Sequence, residues 1–384
     1  MYKQECYKIF SKKSIYFVFA IIVLLLVYVN SLPLDMTMKE EFFEELEQTW
    51  GGPVTEEMVS IAKEAMHASD AGEVSKNTFE SRATDYVQFL VVGASMRKDE
   101  QSERIQIRKE QLEQFSSGTY EYREALKERN MLGELEEAHG FYLIRSWRGM
   151  FELIEPVTSL LLLSTLIFIG VTPVFAEEYT KRTTDLILAT KHGKRKLVSA
   201  KIMAVVTYIA IVFLSLQLVN ILLKLWKFGG VAGWDAPIQG ISAGFDSHSF
   251  VSYDGSPYSF EVWQFFLITL GLHLLACLAV GSLVLFLSFL TKNTMLAFFI
   301  SGVVIAVPVL LQQLGITRGI LEYVVNFSYT ELMQVSSMFT QFRAYNIFGF
   351  PVLYPSLIFS VFAVITGVMI FLIYKLFGKQ QVGN

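Results

Sequence analysis

Charge and cysteine are what this chain has least of. Asp, Glu, Lys and Arg make up 18% of its 384 residues, against about 25% in ordinary globular proteins. Its two cysteines, Cys6 and Cys277, suit neither a disulfide framework nor a CxxC metal site, which sets redox chemistry aside. The chain has no Gly-x-x-x-x-Gly-Lys-Ser/Thr loop, and Gly193-Lys194 lacks a second glycine at the required spacing, so it is not itself an ATPase of that kind. A cleavable leader is also missing from the expectation. Lys3, Lys8, Lys12 and Lys13 precede the first apolar run, but Asn30-Ser31-Leu32-Pro33-Leu34 offers no small-x-small cleavage site, so a retained anchor is expected.

What the chain does have is long apolar runs. It is 53% hydrophobic with mean hydropathy +0.43, and a spanning helix needs roughly 20 mainly apolar residues. Six runs qualify: Ile15 to Leu34, Leu153 to Phe175, Ile202 to Trp226, Trp263 to Leu290, Thr294 to Leu311 and Val352 to Leu376. The expected fold class is an all-α polytopic membrane protein with six transmembrane helices and a mostly helical extracellular insertion between the first two. Residues 1–34 read as an interfacial helix plus the first span, since Tyr2, Tyr7, Ile9 and Phe10 alternate with lysines. Residues 35–152 read as an acidic external domain, and 153–384 as spans two to six.

Lysine and arginine placement orients the spans. Segments 1–14, 176–201, 291–293 and 375–384 hold four, seven, one and two cations and only the acids Glu5, Glu177, Glu178 and Asp185. The insertion carries 14 cations and 25 acids, a net of −11. Both termini are therefore expected in the cytoplasm of a cell with a plasma membrane, in all expectation a bacterium.

The insertion is rich in helix formers. Thr55-Glu56-Glu57 after Pro53 reads as a helix start, and Gly51-Gly52-Pro53, Ala71-Gly72 and Ser116-Ser117-Gly118 as breaks. Met58, Ile61, Ala62 and Ala65, and then Phe89, Leu90 and Val92, suggest the buried faces; a last helix over about Thr119 to Arg148 is expected to run toward the second span. His67 and His139 read as surface histidines. Loop 227–262 reads as an irregular external cap, and loop 312–351 as short helices at the outer interface.

Within the spans, Gln217, Asn220 and His273 are candidate pathway residues, with interhelical hydrogen bonding as the competing role. Gly271, Gly281, Gly302 and Gly367 read as close-packing positions, Pro308 as a kink, and Lys224 and Lys227 as snorkelling cations.

The segment 176–201 carries the functional reading. Thr183 to Thr190 reads as a short helix with Leu186, Ile187 and Ala189 on a greasy face, held between two spans and flanked by seven cations. Glu178, Thr183, Leu186, Leu188, Thr190, Arg195 and Ala200-Lys201, with the turn Ser288 to Met295, resemble the type 2 ABC transporter permeases. The resemblance covers all six spans. It departs from the family pattern at Arg182, where a glycine is usual, and at Lys191, where a proline is usual. It implies a permease subunit, an exporter, whose coupling helix docks on a separate ABC ATPase; that partner would bind ATP and Mg, and this chain no cofactor. The coupling residues would be Glu177, Glu178, Thr183, Leu186, Leu188, Arg195 and Lys201. A second permease copy or paralogue would complete the pathway, in contact with membrane lipid and not with nucleic acid. Two other readings compete. Glu177-Glu178-Tyr-Thr-Lys-Arg182 matches the Glu-Glu-x-x-x-Arg signature of intramembrane CAAX-type proteases, but His192, His248 and His273 lack the neighbours that chemistry needs. A membrane sensor or immunity protein would instead bind peptides through the acidic domain.

Overall fold

The computed structural model describes residues 1–31, 40–70, 79–135, 139–142, 144–154, 159–181, 193–242, 251–316 and 318–379. Among these, five helices are long and apolar enough to cross a membrane: Leu160–Thr180, Lys194–Phe228, Val262–Thr291, Thr294–Gln313 and Tyr354–Lys379. In hydrocarbon a spanning segment must satisfy its own backbone, which helices do. The protein is an α-helical, multi-pass membrane protein. A sixth crossing is counted only if α1 (Tyr2–Phe10) and α2 (Lys13–Ser31), bent by 57° at Ser11-Lys12, are taken as one span.

Helix α1 is amphipathic. It buries Glu5 and Ile9, packs Cys6 and Phe10 inward, and exposes Tyr2, Lys3 and Tyr7. The next apolar segment is interrupted. A π-turn (Ser159–Leu163) leads into α8 (Ser164–Val171), and α9 (Pro173–Thr180) starts at a proline that has no N–H to give. The long α10 (Gly193–Phe228) has 36 residues, on the order of 54 Å at 1.5 Å per residue. It therefore projects beyond a ~30 Å hydrocarbon core. Helices α11 (Val262–Thr291) and α12 (Thr294–Gln313) form a tight hairpin: Lys292 is left-handed at φ 53°, and the Asn293 side chain caps Met295 and Leu296 N–H at 2.9 and 3.1 Å.

Two glycines hold the helices close. A Cβ on Gly170 would sit 2.2 Å from the Tyr208 ring, and one on Gly281 2.2 Å from Ile209. The expectation therefore holds at Gly281. At Gly271, Gly302 and Gly367 nothing lies within 4 Å of an added Cβ, so within this chain they are not contact points. Pro308 lies inside the continuous α12, and the Thr330 hydroxyl donates to the nearby Ile305 carbonyl at 2.7 Å.

The insertion is mostly helical: α3 (Glu40–Trp50), α4 (Glu56–Asp70), α5 (Phe79–Gln114) and α6 (Tyr120–Gly133). Thr55 does start α4, accepting from Met58 N–H at 3.2 Å. Position 71–72 falls outside the described residues. The core face agrees in part with the expected one: Ala62, Leu90 and Val92 are buried as expected, together with Val59, Val87, Val91 and Ala94, whereas Ile61 and Phe89 are exposed. The last helix is also shorter than expected. It ends at Gly133, and the chain turns back so that β2 (Gly140–Phe141) pairs antiparallel with β1 (Gly52–Pro53) before the short α7 (Arg145–Met150). Gly140 is needed there, since a Cβ would meet Gly52 O at 2.1 Å.

Segment 312–351 holds the expected short helices, α13 (Ile320–Asn326) and α14 (Tyr329–Met333), and a 3-10 turn at Val335–Phe339. It also holds a hairpin the sequence reading missed, β3 (Ala344–Ile347) with β4 (Phe350–Leu353). Its two-residue turn puts Phe348 and Gly349 at φ 51° and 83°, the positive-φ pair that matches strand twist. Arg123 and Lys127 of α6 donate to Gly349 O and Pro351 O at 2.8 and 3.0 Å, tying the hairpin to the insertion. Helix α15 (Tyr354–Lys379) follows directly.

Candidate functional site

The basic end of the bundle, where α1, α9 and α10 meet, holds a charge quartet in which Glu5, Glu178 and Lys201 are buried and Lys8 is half exposed. Lys201 of α10 is fully buried. Its ammonium has three protons, and three acceptors meet them: Glu5 Oε2 at 2.9 Å, Glu178 Oε1 at 2.8 Å and the Val174 carbonyl at 2.8 Å. Lys8 closes the loop, donating to Glu5 Oε1 and Glu178 Oε1, both at 2.7 Å. Among the described residues two carboxylates and two ammoniums balance, and such balance is the condition for keeping the inner charges out of water. Lys201 also sits 5.1 Å over the Phe175 ring.

A second, more exposed pair of contacts lies alongside. Glu177 accepts from Lys12 at 2.7 Å and from Lys181 at 2.6 Å. Apolar and neutral contacts complete the seat of α1. Tyr2 OH and Thr207 Oγ1 share a hydrogen bond at 2.7 Å, and the Phe10 ring meets Tyr208 edge-on at 5.7 Å.

The electrostatics follow from the geometry. Burial works against the charge of Glu5, but Lys201 and the bonds from Lys8 and Lys201 outweigh it and hold the carboxyl below its ordinary value. Burial also opposes the charge on Lys8; its bonds to Glu178 and Glu5 win, and the amine is held above its usual value.

The start of α9 is secured from α11. Ser288 Oγ, fully buried, accepts from Phe175 and Ala176 N–H, each at 3.1 Å, and donates to the Thr172 carbonyl at 2.6 Å. A hydroxyl is thus inserted where Pro173 interrupts the helical ladder.

Of the residues expected to couple, the structure joins Glu178 to Lys201, holds Glu177 alongside through Lys12 and Lys181, and leaves Arg195 exposed about one and a half turns away. Thr183, Leu186 and Leu188, and the helix expected at Thr183 to Thr190, lie outside the described residues. Lys201, counted among the seven cations of segment 176–201 and expected as a coupling residue, is the buried centre of the quartet. Sequence reasoning missed Glu5 and Lys8 as members of the quartet, Lys12 as a partner of Glu177, and Ser288 as the anchor of the start of α9.

The candidate pathway residues are buried in the bundle. His273 packs edge-on against Phe213 at 5.4 Å, and neither ring nitrogen has a hydrogen-bond partner. Gln217, one turn beyond Phe213, has both amide atoms unpartnered, while Asn220 donates to the Met150 carbonyl at 3.0 Å and leaves its Oδ1 unpartnered. No hydrogen bond joins these three among the described residues. Lys224 does not snorkel freely: it is buried, its stem packed against Gly149. In the insertion His139 is buried rather than exposed; its Nε2 lies 2.5 Å from Gln101 Oε1. Burial and the nearby Arg97 push it down to about 4, against the pull of Asp254. Among the described residues no group of His, Cys, Asp and Glu is placed to hold a metal ion.

Comparison of the chain with protein-family models, with curated proteins and with solved structures returns no match. What fold and site define is thus a class, the multi-pass α-helical membrane proteins.

Proposed function

We propose that the chain is the transmembrane permease subunit of an ABC transporter, an exporter with six spans, driven by a separate ATPase through segment 176–201. The observation that carries this reading is the anchoring of that segment at both ends. Glu178 before it and Lys201 after it are held with Glu5 and Lys8 of α1 in one network, and Glu177 is held separately, at the surface, by Lys12. A segment so framed transmits displacement to the packed spans rather than absorbing it, because packed interfaces shift between discrete arrangements. In this reading the basic end and both termini face the cytoplasm of a bacterial cell, the insertion lies outside, and a second copy or paralogue completes the pathway. ATP and Mg belong to the partner. The lysines that engage Glu177 and Glu178 also speak against a water-activating role for these carboxylates.

The experiment is co-purification from native membranes. The tagged chain is expected to bring down an ABC-type ATPase, and Leu186→Asp with Leu188→Asp to release it while the chain stays in the membrane. Retention of ATPase and transport by the double variant would refute the coupling assignment.

A further inference from the structure

We infer that α1 is part of the force-transmitting body and that Glu5 is its positioning residue: it completes the charge balance around Lys201, so that α1, α9 and the start of α10 move together. The inference rests on the permease reading for its purpose, but its structural core does not. Four facts support it. Lys201 has no exposed surface, so its charge is balanced by the protein alone. Glu178 Oε1 already accepts from both lysines, so without Glu5 one carboxylate would face two ammoniums. Glu5 comes from a helix 196 positions away in sequence, and bridges Lys8 and Lys201 with its two separate oxygens. Finally, Tyr2–Thr207 and Phe10–Tyr208, from the two ends of α1, hold it on α10 beyond Lys201.

A lone exposed ion pair would carry no such conclusion, being worth little. Removing one member of a buried pair is different, because it strands a charge. The quartet makes a distinctive forecast. Glu5→Gln leaves a net charge of +1 and Lys201→Met leaves −1, yet the two together leave Lys8 and Glu178 as a neutral pair. The double variant is therefore less disturbed than either single one.

The test uses the full chain in nanodiscs with Cys6 and Cys277 replaced by serine, and Tyr2→Cys with Thr207→Cys as a pair for a short bis-maleimide cross-linker. Glu5→Gln and Lys201→Met are each expected to slow cross-linking by about tenfold or more, and the double variant to recover to within about twofold of the parent. Glu5→Asp, which keeps the charge, is expected to retain most of the parent rate. Unchanged cross-linking in both single variants, or additive loss in the double, overturns the inference whatever the partner proves to be. A second arm measures ATP hydrolysis by the co-purified ATPase in the same variants, where Glu5→Gln lowers coupled turnover and the double restores it. If the cross-linking cycle behaves as expected but no ATPase co-purifies, the clamp stands and the permease reading falls. If the cycle holds and turnover ignores Glu5, α1 is a passive attachment and its role in force transmission is refuted.

Discussion

Replacing Ser288 by alanine tests whether the break at Pro173 is held from outside its own helix. The serine hydroxyl serves three backbone groups: the N–H of Phe175, the N–H of Ala176 and the carbonyl of Thr172. Pro173 supplies no N–H, so the helix cannot repair itself fully. In the present geometry alanine removes the acceptor that the Phe175 and Ala176 N–H groups share and leaves a hydroxyl-sized void. An unsatisfied buried polar group costs about 1–3 kcal/mol, and a small cavity adds roughly 1 kcal/mol. The expected loss is about 2–4 kcal/mol. Equilibrium titration of the purified chain with a denaturing detergent reads it directly, with Ser288→Thr as the control that keeps the hydroxyl. An alanine variant within about 0.5 kcal/mol of the parent, the range of an uninvolved surface site, would refute the reasoning.

Other consequences follow from particular contacts. Gly170→Ala drives a Cβ into the Tyr208 ring and is expected to cost about 1–3 kcal/mol, seen as a lowered midpoint in the same titration. Gln217→Leu removes two buried unpartnered amide atoms; it is expected to stabilise the chain by about 1 kcal/mol and, if Gln217 lines the pathway, to lower transport at the same time. His139 takes up a proton in the unfolded chain below its ordinary value but in the folded one only near 4. The insertion should therefore lose stability as pH falls from about 6.5 toward 4, by up to roughly 3 kcal/mol. Hydrogen exchange of α4 and α5 amides measures this, and His139→Leu is expected to flatten the dependence. The seat of α1 has a matching window. The lowered Glu5 value makes its contribution present above the usual carboxylate range and lost as pH falls through the folded value; the raised Lys8 value makes its contribution present below the usual amine range and lost as pH rises past the folded one. Protection of α1 from trypsin is expected to persist across neutral pH and to fail only toward acid or strong alkali.

The apolar helices were legible because hydropathy over some twenty residues reports burial in lipid whatever the tertiary partners are. The insertion shows where that kind of reading weakens. Its helices were expected, and Ala62, Leu90 and Val92 are buried as expected, but Phe89 and Ile61 were placed inside when they are exposed, and Val87, Val91 and Val59 were not picked out. Several phases of a 3.6-residue period fit a short mixed stretch, and only the partner helix selects among them. The β3–β4 hairpin escaped notice because Phe348 is an unusual occupant of a positive-φ turn; the turn is held through its neighbours, by Gly349 N–H to Asn346 and by bonds from Arg123 and Lys127 to the carbonyls of Gly349 and Pro351. The quartet was half legible. Glu178 and Lys201 stood out by position, but Glu5 is 196 residues from Lys201 and no local spacing announces such a pair. Ser288 was visible only as part of a turn, since its role depends on a proline more than a hundred residues earlier. His139 was misread for the same reason: its burial comes from Gln101 and the β1–β2 pairing, not from its neighbours in sequence.

The account stands or falls on which side of the membrane the charged end of the bundle meets. Thiol labelling in intact cells of a chain with Cys6 and Cys277 replaced, carrying either Arg195→Cys or Gln111→Cys, measures this with a membrane-impermeant reagent. The account predicts rapid labelling at position 111 and none at 195 until the cells are opened. Labelling of 195 from outside would contradict it.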